Sequence, residues 1–182
     1  MPGPVFLEND PVTLRPADEE DVPFLRENGN EPHVRATRHA YRPADEEWAE
    51  RRLGGTVGEN DDSIGLLVCA DGEPVGYVRL IREHPWVHVT RDAELGYWIA
   101  PDEWRNGYAT AAAERMVEYA FAELGLHRLT ASAFETNEAS KRVLNRVGFV
   151  EEGVSRRAAY VDGEWCDVVR YGLLRDERES KG

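Results

Sequence analysis

Apolar positions along this chain recur with two periods, two residues in some stretches and between three and four in others, and the switches between them mark out the elements. Val12 to Arg15 (VTLR) predicts a short strand. Asp18 to Asn28 predicts a helix with acids in its first turn, where the helix dipole favours negative charge. Residues 29–43 hold two prolines, two histidines and no clear period, and read as loop or broken helix. Ala44 to Leu53 (ADEEWAERRL) predicts a second helix, closed by Gly54 and Gly55. Ser63 to Ala70 and Val75 to Glu83 read as strands joined by an Asp71-Gly72 turn of the hairpin kind.

Ala93 to Ala100 (AELGYWIA) predicts another strand. Alternation sets Ala93, Leu95, Tyr97 and Ile99 on one face and Glu94, Gly96 and Trp98 on the other. Gly107 to Leu124 carries the strongest helical pattern, with Ala109, Ala113, Met116, Val117, Ala120, Phe121 and Leu124 in register. His127 to Phe134 is a strand. Asn137 to Val147 is a helix with Asn137 as N-cap and Gly148 as its stop. Phe149 to Glu152 reads as a short strand, and a final hairpin pairs Arg156 to Val161 with Trp165 to Leu174 across Asp162-Gly163. This order predicts a mixed α/β, or α+β, sheet domain over residues 1–175. A polar tail, residues 176–182, is expected to fray.

Composition narrows the function classes. The 182 residues suit one domain, and 41% apolar with 31% charged residues is the balance of a soluble globular protein. No apolar run approaches the roughly 18 residues of a membrane span, so no membrane partner is expected. Met1 to Asp10 has neither a basic region nor an apolar region of a secretory signal, which makes a cytoplasmic location the default. The formal net charge of -13 argues against general nucleic-acid binding. Lys141 and Lys181 are the only lysines, and an acid-rich, lysine-poor composition resembles that of halophile proteins, where acidity serves solvation; otherwise it would hint at a cationic substrate. Cys69 and Cys166 lie in or beside apolar strands and read as reduced core thiols. No His/Cys/Asp cluster has metal-ligand spacing, so no metal is expected.

The chemistry concentrates in Trp98 to Ala113 (WIAPDEWRNGYATAAA), where a strand ends and a long helix opens at Gly107. Unpaired N–H groups at a helix N-terminus, approached through a glycine, suit a pyrophosphate. The triphosphatase pattern GxxxxGK[ST] and the dinucleotide pattern GxGxxG are both missing. A glycine that merely turns the chain stays open at this point. A second segment, Asn137 to Gly153 (NEASKRVLNRVGFVEEG), changes the picture.

ELGYWIAPDEWRNGYAT, NEASKRVLNRVGF and YVDGEWCDVVRYGLL, in that order and preceded by LRPADEEDVPFL, resemble the GNAT acetyltransferases over almost the whole chain. The nearest branch resembles the RimJ/RimL-like N-terminal acetyltransferases of ribosomal proteins. The resemblance implies a mixed sheet of about seven strands flanked by about four helices, with two strands splayed at a cofactor cleft. It implies acetyl-CoA as co-substrate. Tyr97, Trp98, Ile99 and Ala100 would pair with the pantetheine arm. Arg105, Asn106, Gly107, Tyr108, Ala109 and Thr110 would wrap the pyrophosphate, and Asn137 would contact the cofactor, cap its helix, or do both. Trp104 stands where the family often has Gln or Arg, so one polar contact is absent; Trp is frequent there in the branch. Ala109 replaces a second glycine.

Acetyl transfer by direct attack needs a deprotonated amine, a polarised thioester carbonyl and a proton for the departing thiolate. A backbone N–H near Ile99 can polarise the carbonyl. Glu94 is the candidate base, directly or through water. Many family members supply the acid from a tyrosine at the position of Leu144; the branch implies Ser140 instead. A solvated glutamate and a serine bonded to its own helix end are the alternatives. His84, His88, Trp86, Trp98 and Trp104 are weaker candidates for an acceptor wall. Branch likeness points to a protein N-terminal α-amine, whose ordinary pKa near 8 makes a carboxylate base sufficient. A small amine (polyamine, aminoglycoside-like or amino acid) and a non-catalytic acyl-CoA-binding module are the rival readings. Relatives often dimerise, so a homodimer is compatible with the resemblance.

Overall fold

The computed structural model describes residues 3–37, 42–57 and 62–179, with the side chains of Val87 and His88 outside the description. Among the described residues eight strands form one sheet: β1 (Leu7–Asn9), β2 (Val12–Arg15), β3 (Ile64–Ala70), β4 (Glu73–Ile81), β5 (Asp92–Ile99), β6 (Arg128–Phe134), β7 (Val150–Val161) and β8 (Glu164–Leu174). Their spatial order is β1-β2-β3-β4-β5-β6-β8-β7, antiparallel throughout except for the parallel pair β5–β6. The helices are α1 (Val22–Asn30), α2 (Pro32–Ala36), α3 (Glu46–Glu50), α4 (Val87–Thr90), α5 (Tyr108–Ala122), α6 (Glu138–Val147) and α7 (Arg175–Glu179), with 3-10 turns at Glu19–Asp21 and Pro101–Glu103. Among the described residues no helix is long and apolar enough to cross a membrane.

Alternation along the strands feeds two cores. On one sheet face Leu14, Val68, Val78, Leu95 and Leu129 meet Met116 and Ala120 of α5 and Leu144 of α6. Ala111, Ala112 and Ala113 are all buried, so small side chains let α5 lie close against the strands. On the other face Leu67, Tyr77 and Trp98 meet Leu25 of α1, Val34 of α2 and Ala49 of α3. Trp98 stacks between Phe24 and Tyr77, with centroids 5.8 and 6.3 Å away. Both cysteines are free and buried.

The structure corrects several boundaries. β1 was not expected: three residues are too few to show a period, and it pairs with β2 across the Asp10-Pro11 turn. The two segments expected as Phe149–Glu152 and Arg156–Val161 fall, apart from Phe149, in one strand, β7, whose two register shifts hide its periodicity. The second helix shrinks to α3, capped by Asp45, whose side chain accepts from Trp48 N. Residues 176–179 of the tail expected to fray join Arg175 in α7, where Glu177 accepts from Leu174 N and Arg178 donates to Val147 O. Within residues 29–43, read as loop or broken helix, Pro32–Ala36 forms the short helix α2, in keeping with the second alternative, and residues 38–41 lie outside the description.

One buried ion pair ties the helical layer to the sheet. Arg15, on β2, donates through both terminal nitrogens to Asp21 at 2.7 Å, and both residues are buried. The hydrogen bond to Asp21 holds the guanidinium charge more firmly than in water. Burial works against the Asp21 carboxylate, yet Arg15 keeps its pKa below the ordinary value.

Candidate active site

The site begins where β5 and β6 part. Their ladder covers only Asp92–Glu94 against Arg128–Thr130, whereas β5 runs on to Ile99 and β6 to Phe134. β4 holds β5 along its length and β8 holds β6, so the two strands diverge. A cleft of about 630 Å³ opens between them, bounded by the starts of α5 and α6. Ala100 N donates to Val75 O on β4 at 2.8 Å. Alternation therefore turns the backbone groups of Trp98 and Gly96 toward β4 as well, and those of Tyr97 and Ile99 toward the cleft, where no strand pairs with them. Within the predicted segment, Tyr97 and Ile99 are thus the residues that offer backbone to a ligand. The Ile99 carbonyl accepts from Trp104 Nε1 at 2.8 Å, so Trp104 fastens the loop to the strand end.

The turn into α5 is shaped for an anion. Arg105 and Gly107 both adopt left-handed backbone, at φ 68° and 81°. A Cβ on Gly107 would meet nothing within 4 Å, so the glycine answers the backbone angle and not crowding. Among the described residues no side chain caps α5. The N–H groups of Tyr108, Ala109 and Thr110 have no acceptor within the helix and lie at the positive end of its dipole. Arg105, Gly107, Tyr108 and Ala109 line the cleft; Ala100, Asn106 and Thr110 stand outside its lining. Asn106 donates to Glu103 at 3.2 Å, while exposed Arg105 has no side-chain partner among the described residues.

On the opposite wall Asn137 caps α6, its Oδ1 accepting from Ser140 N at 3.1 Å. The Ser140 hydroxyl is not spent on its helix end; it lies 3.1 Å from Tyr97 Oη, which also donates to Ser140 O at 3.3 Å. Burial pushes the Tyr97 phenol up to about 12, with the Ser140 hydrogen bond working the other way, so the phenol keeps its proton at neutral pH. Leu144 is buried and offers no hydroxyl. The pairing of Tyr97 with Ser140 was not read from the sequence. Its signal was present, because alternation sets Tyr97 on the face that α6 covers.

Glu94 lines the cleft at the last paired position of the ladder, is exposed, and makes no side-chain hydrogen bond or ion pair among the described residues. Trp98 reaches the lining but spends most of its surface in the second core. Two arginines that sequence reasoning missed, Arg52 and Arg79, line the same side. Arg79 faces Gly96 across the β4–β5 pair, and a Cβ on Gly96 would stand 2.9 Å from Arg79 Nε, so that glycine makes room for the guanidinium. His84 is outside the lining and bonds Asp92 Oδ1 at 2.9 Å. Trp86 is exposed outside the lining, and the His88 side chain lies outside the described residues. No cluster of three or more His, Cys, Asp or Glu side chains is placed to hold a metal among the described residues.

Comparison with known proteins agrees with this geometry. Residues 12–150 match the model of the GNAT acetyltransferase domain. YdaF of Bacillus subtilis (strain 168), provisionally named a ribosomal N-acetyltransferase, is 42% identical over 122 residues, covering 67% of this chain and 64% of that protein. The chain thus spans just under two thirds of that relative's length. Spermidine N(1)-acetyltransferase of Escherichia coli (strain K12) is 28% identical over 167 residues, 91% of this chain and 87% of the other. Mycobacterium smegmatis RimJ, solved in complex with CoA-disulfide, superposes with a TM-score of 0.77 at 28% identity, covering 97% of this chain and 89% of that one. A family model matched across most of the sheet, on a fold shared nearly end to end, makes this chain a member of the GNAT acetyltransferase family.

Proposed function

We propose that residues 1–175 act as an acetyl-CoA-dependent N-acetyltransferase whose acceptor is a protein N-terminal α-amine. The observation that carries the reading is the parting of β5 and β6 beside the uncapped N-terminus of α5. An extended amide arm fits along Tyr97 and Ile99, and a pyrophosphate fits the N–H groups of Tyr108, Ala109 and Thr110. Arg105 adds charge from the loop, and Asn137 shapes the far wall through its cap.

In the proposed reaction Glu94 takes one proton from the substrate ammonium, directly or through water. The freed nitrogen attacks the thioester carbon, whose oxygen is met by the Ile99 N–H. The C–N bond forms and the C–S bond breaks. The second amine proton leaves, one proton reaches the sulfur and one reaches solvent. Ser140 donates its hydroxyl toward the developing thiolate, and Tyr97, protonated at neutral pH, is the positioning residue that aligns it. The likeness to a spermidine N(1)-acetyltransferase supports a second reading, a polyamine acceptor.

The test is calorimetric titration with acetyl-CoA at low and molar salt, followed by thiol release across peptides with free N-termini and small amines. Saturable one-to-one binding followed by turnover of a peptide N-terminus supports the proposal. A folded protein that binds no acetyl-CoA at either salt defeats it. Wild-type kcat in both Glu94→Gln and Ser140→Ala defeats the assignment of those two residues.

A further inference from the structure

The acceptor side of the cleft holds positive charge that the fold leaves unanswered. Arg79, from β4, lies over Gly96, and Arg52, from the turn after α3, lies over the Trp48 ring at 3.6 Å from its centroid and donates to the Trp48 carbonyl. Both face the cleft. Neither reaches a carboxylate within ion-pair distance among the described residues, in a chain where 35 acidic residues outnumber 22 lysines and arginines. Some arginines elsewhere do meet a carboxylate: Arg15 meets Asp21, Arg115 meets Glu118 and Arg128 meets Glu152. Burial lowers the Arg52 pKa to about 10; the Tyr77 phenol opposes this, and the charges of Arg79 and Arg51 deepen it. Two like charges in one partly dry cavity are costly unless a ligand brings the counter-charge.

We infer that Arg52 and Arg79 receive a carboxylate of the acceptor, so that the enzyme prefers N-termini with Asp or Glu at the second residue. This rests on the α-amine reading above. Glu94 and Gly96 share a strand face two residues apart, so an ammonium at Glu94 and a carboxylate over Gly96 stand about 7 Å apart. An acidic side chain on the second residue covers that span, whereas one on the first residue, only three or four bonds from the amine, falls short of it. The carboxylate of a free amino acid, two bonds from its amine, falls short of it. A polyamine brings only positive charge to the two guanidiniums.

The experiment measures kcat/KM by thiol release for matched peptides with Asp or Asn at the second residue, for spermidine and for free aspartate, using the full chain at low salt. The Asp peptide is expected to exceed the Asn peptide by about tenfold or more. Arg79→Gln should bring that ratio close to one, and Arg79→Glu should invert it, with acetyl-CoA calorimetry reporting that each variant is folded. Equal kcat/KM for the two peptides, or free aspartate preferred to both, overturns the inference and leaves peptide acetylation standing. Spermidine preferred to both peptides overturns the inference and the α-amine reading together. Acetyl-CoA binding without turnover of any amine removes the catalytic reading and the inference with it.

Discussion

The two ends of the cleft are made of different material. The end assigned to acetyl-CoA is backbone: the unpaired edge of β5 at Tyr97 and Ile99, a turn with Arg105 and Gly107 in left-handed conformation, and the open start of α5. The end assigned to the acceptor is side chains from separate elements: Glu94 from β5, Arg79 from β4, Arg52 after α3 and Val34 from α2. A shared ligand can be held by groups that every residue carries, provided the chain path is right. A variable ligand needs side chains, which can change without disturbing that path.

This contrast yields opposite expectations for substitutions at the two ends. The largest effect belongs to the acceptor end. Glu94→Gln keeps the size of the side chain but removes the base, and kcat should fall about 100- to 10,000-fold with the acetyl-CoA Kd unchanged by calorimetry. At the cofactor end the damaging change is to backbone. Gly107→Ala puts a Cβ on a residue at φ 81°, at a strain of about 1–2 kcal/mol. The expected readout is acetyl-CoA Kd raised about 5- to 30-fold, with kcat at saturation little altered. A large kcat loss and intact affinity in Gly107→Ala would contradict the division.

The same contrast explains what was legible in the sequence. The cofactor end occupies continuous segments, so the strand ending at Ile99, the glycine at 107 and the Asn137 cap stand in the chain in the order in which they act. The acceptor end is assembled across the β4–β5 register. Arg79 faces Gly96 only once the two strands are paired, and nothing in VGYVRLIRE marks Arg79 above Arg82. Arg52 lies in the turn after a short helix whose predicted span was twice its real length. β7 was divided for a related reason, because its bulges break the two-residue period that identifies a strand.

Tyr97 joins the two ends, since its backbone faces the cleft and its phenol reaches Ser140. Tyr97→Phe should lower stability by about 1 kcal/mol and kcat by about fivefold. Its pH signature is specific. The folded phenol is raised to about 12, above its ordinary value near 10, so its contribution is complete below pH 10 and is lost as pH rises through about 12. Chemical denaturation across that window should show wild type losing its advantage over Tyr97→Phe. An advantage that stays constant from pH 9 to 12 would place the phenol in water.

The smallest effect should come from Arg105, although it carries the most conspicuous charge in the loop. Its side chain is exposed and has no partner among the described residues, so it acts on a bound pyrophosphate through solvent. An exposed pair is worth about 0.2–1 kcal/mol, which limits the rise in acetyl-CoA Kd for Arg105→Ala to about fivefold at low salt. At molar salt the screening length shrinks to about 3 Å, and wild type and variant should converge. The N–H groups at the start of α5 depend on helix geometry, so the binding that survives in Arg105→Ala at molar salt measures the backbone share. If Arg105→Ala abolishes binding at both salts, the cofactor end depends on a side chain after all, and the distinction between the two ends collapses.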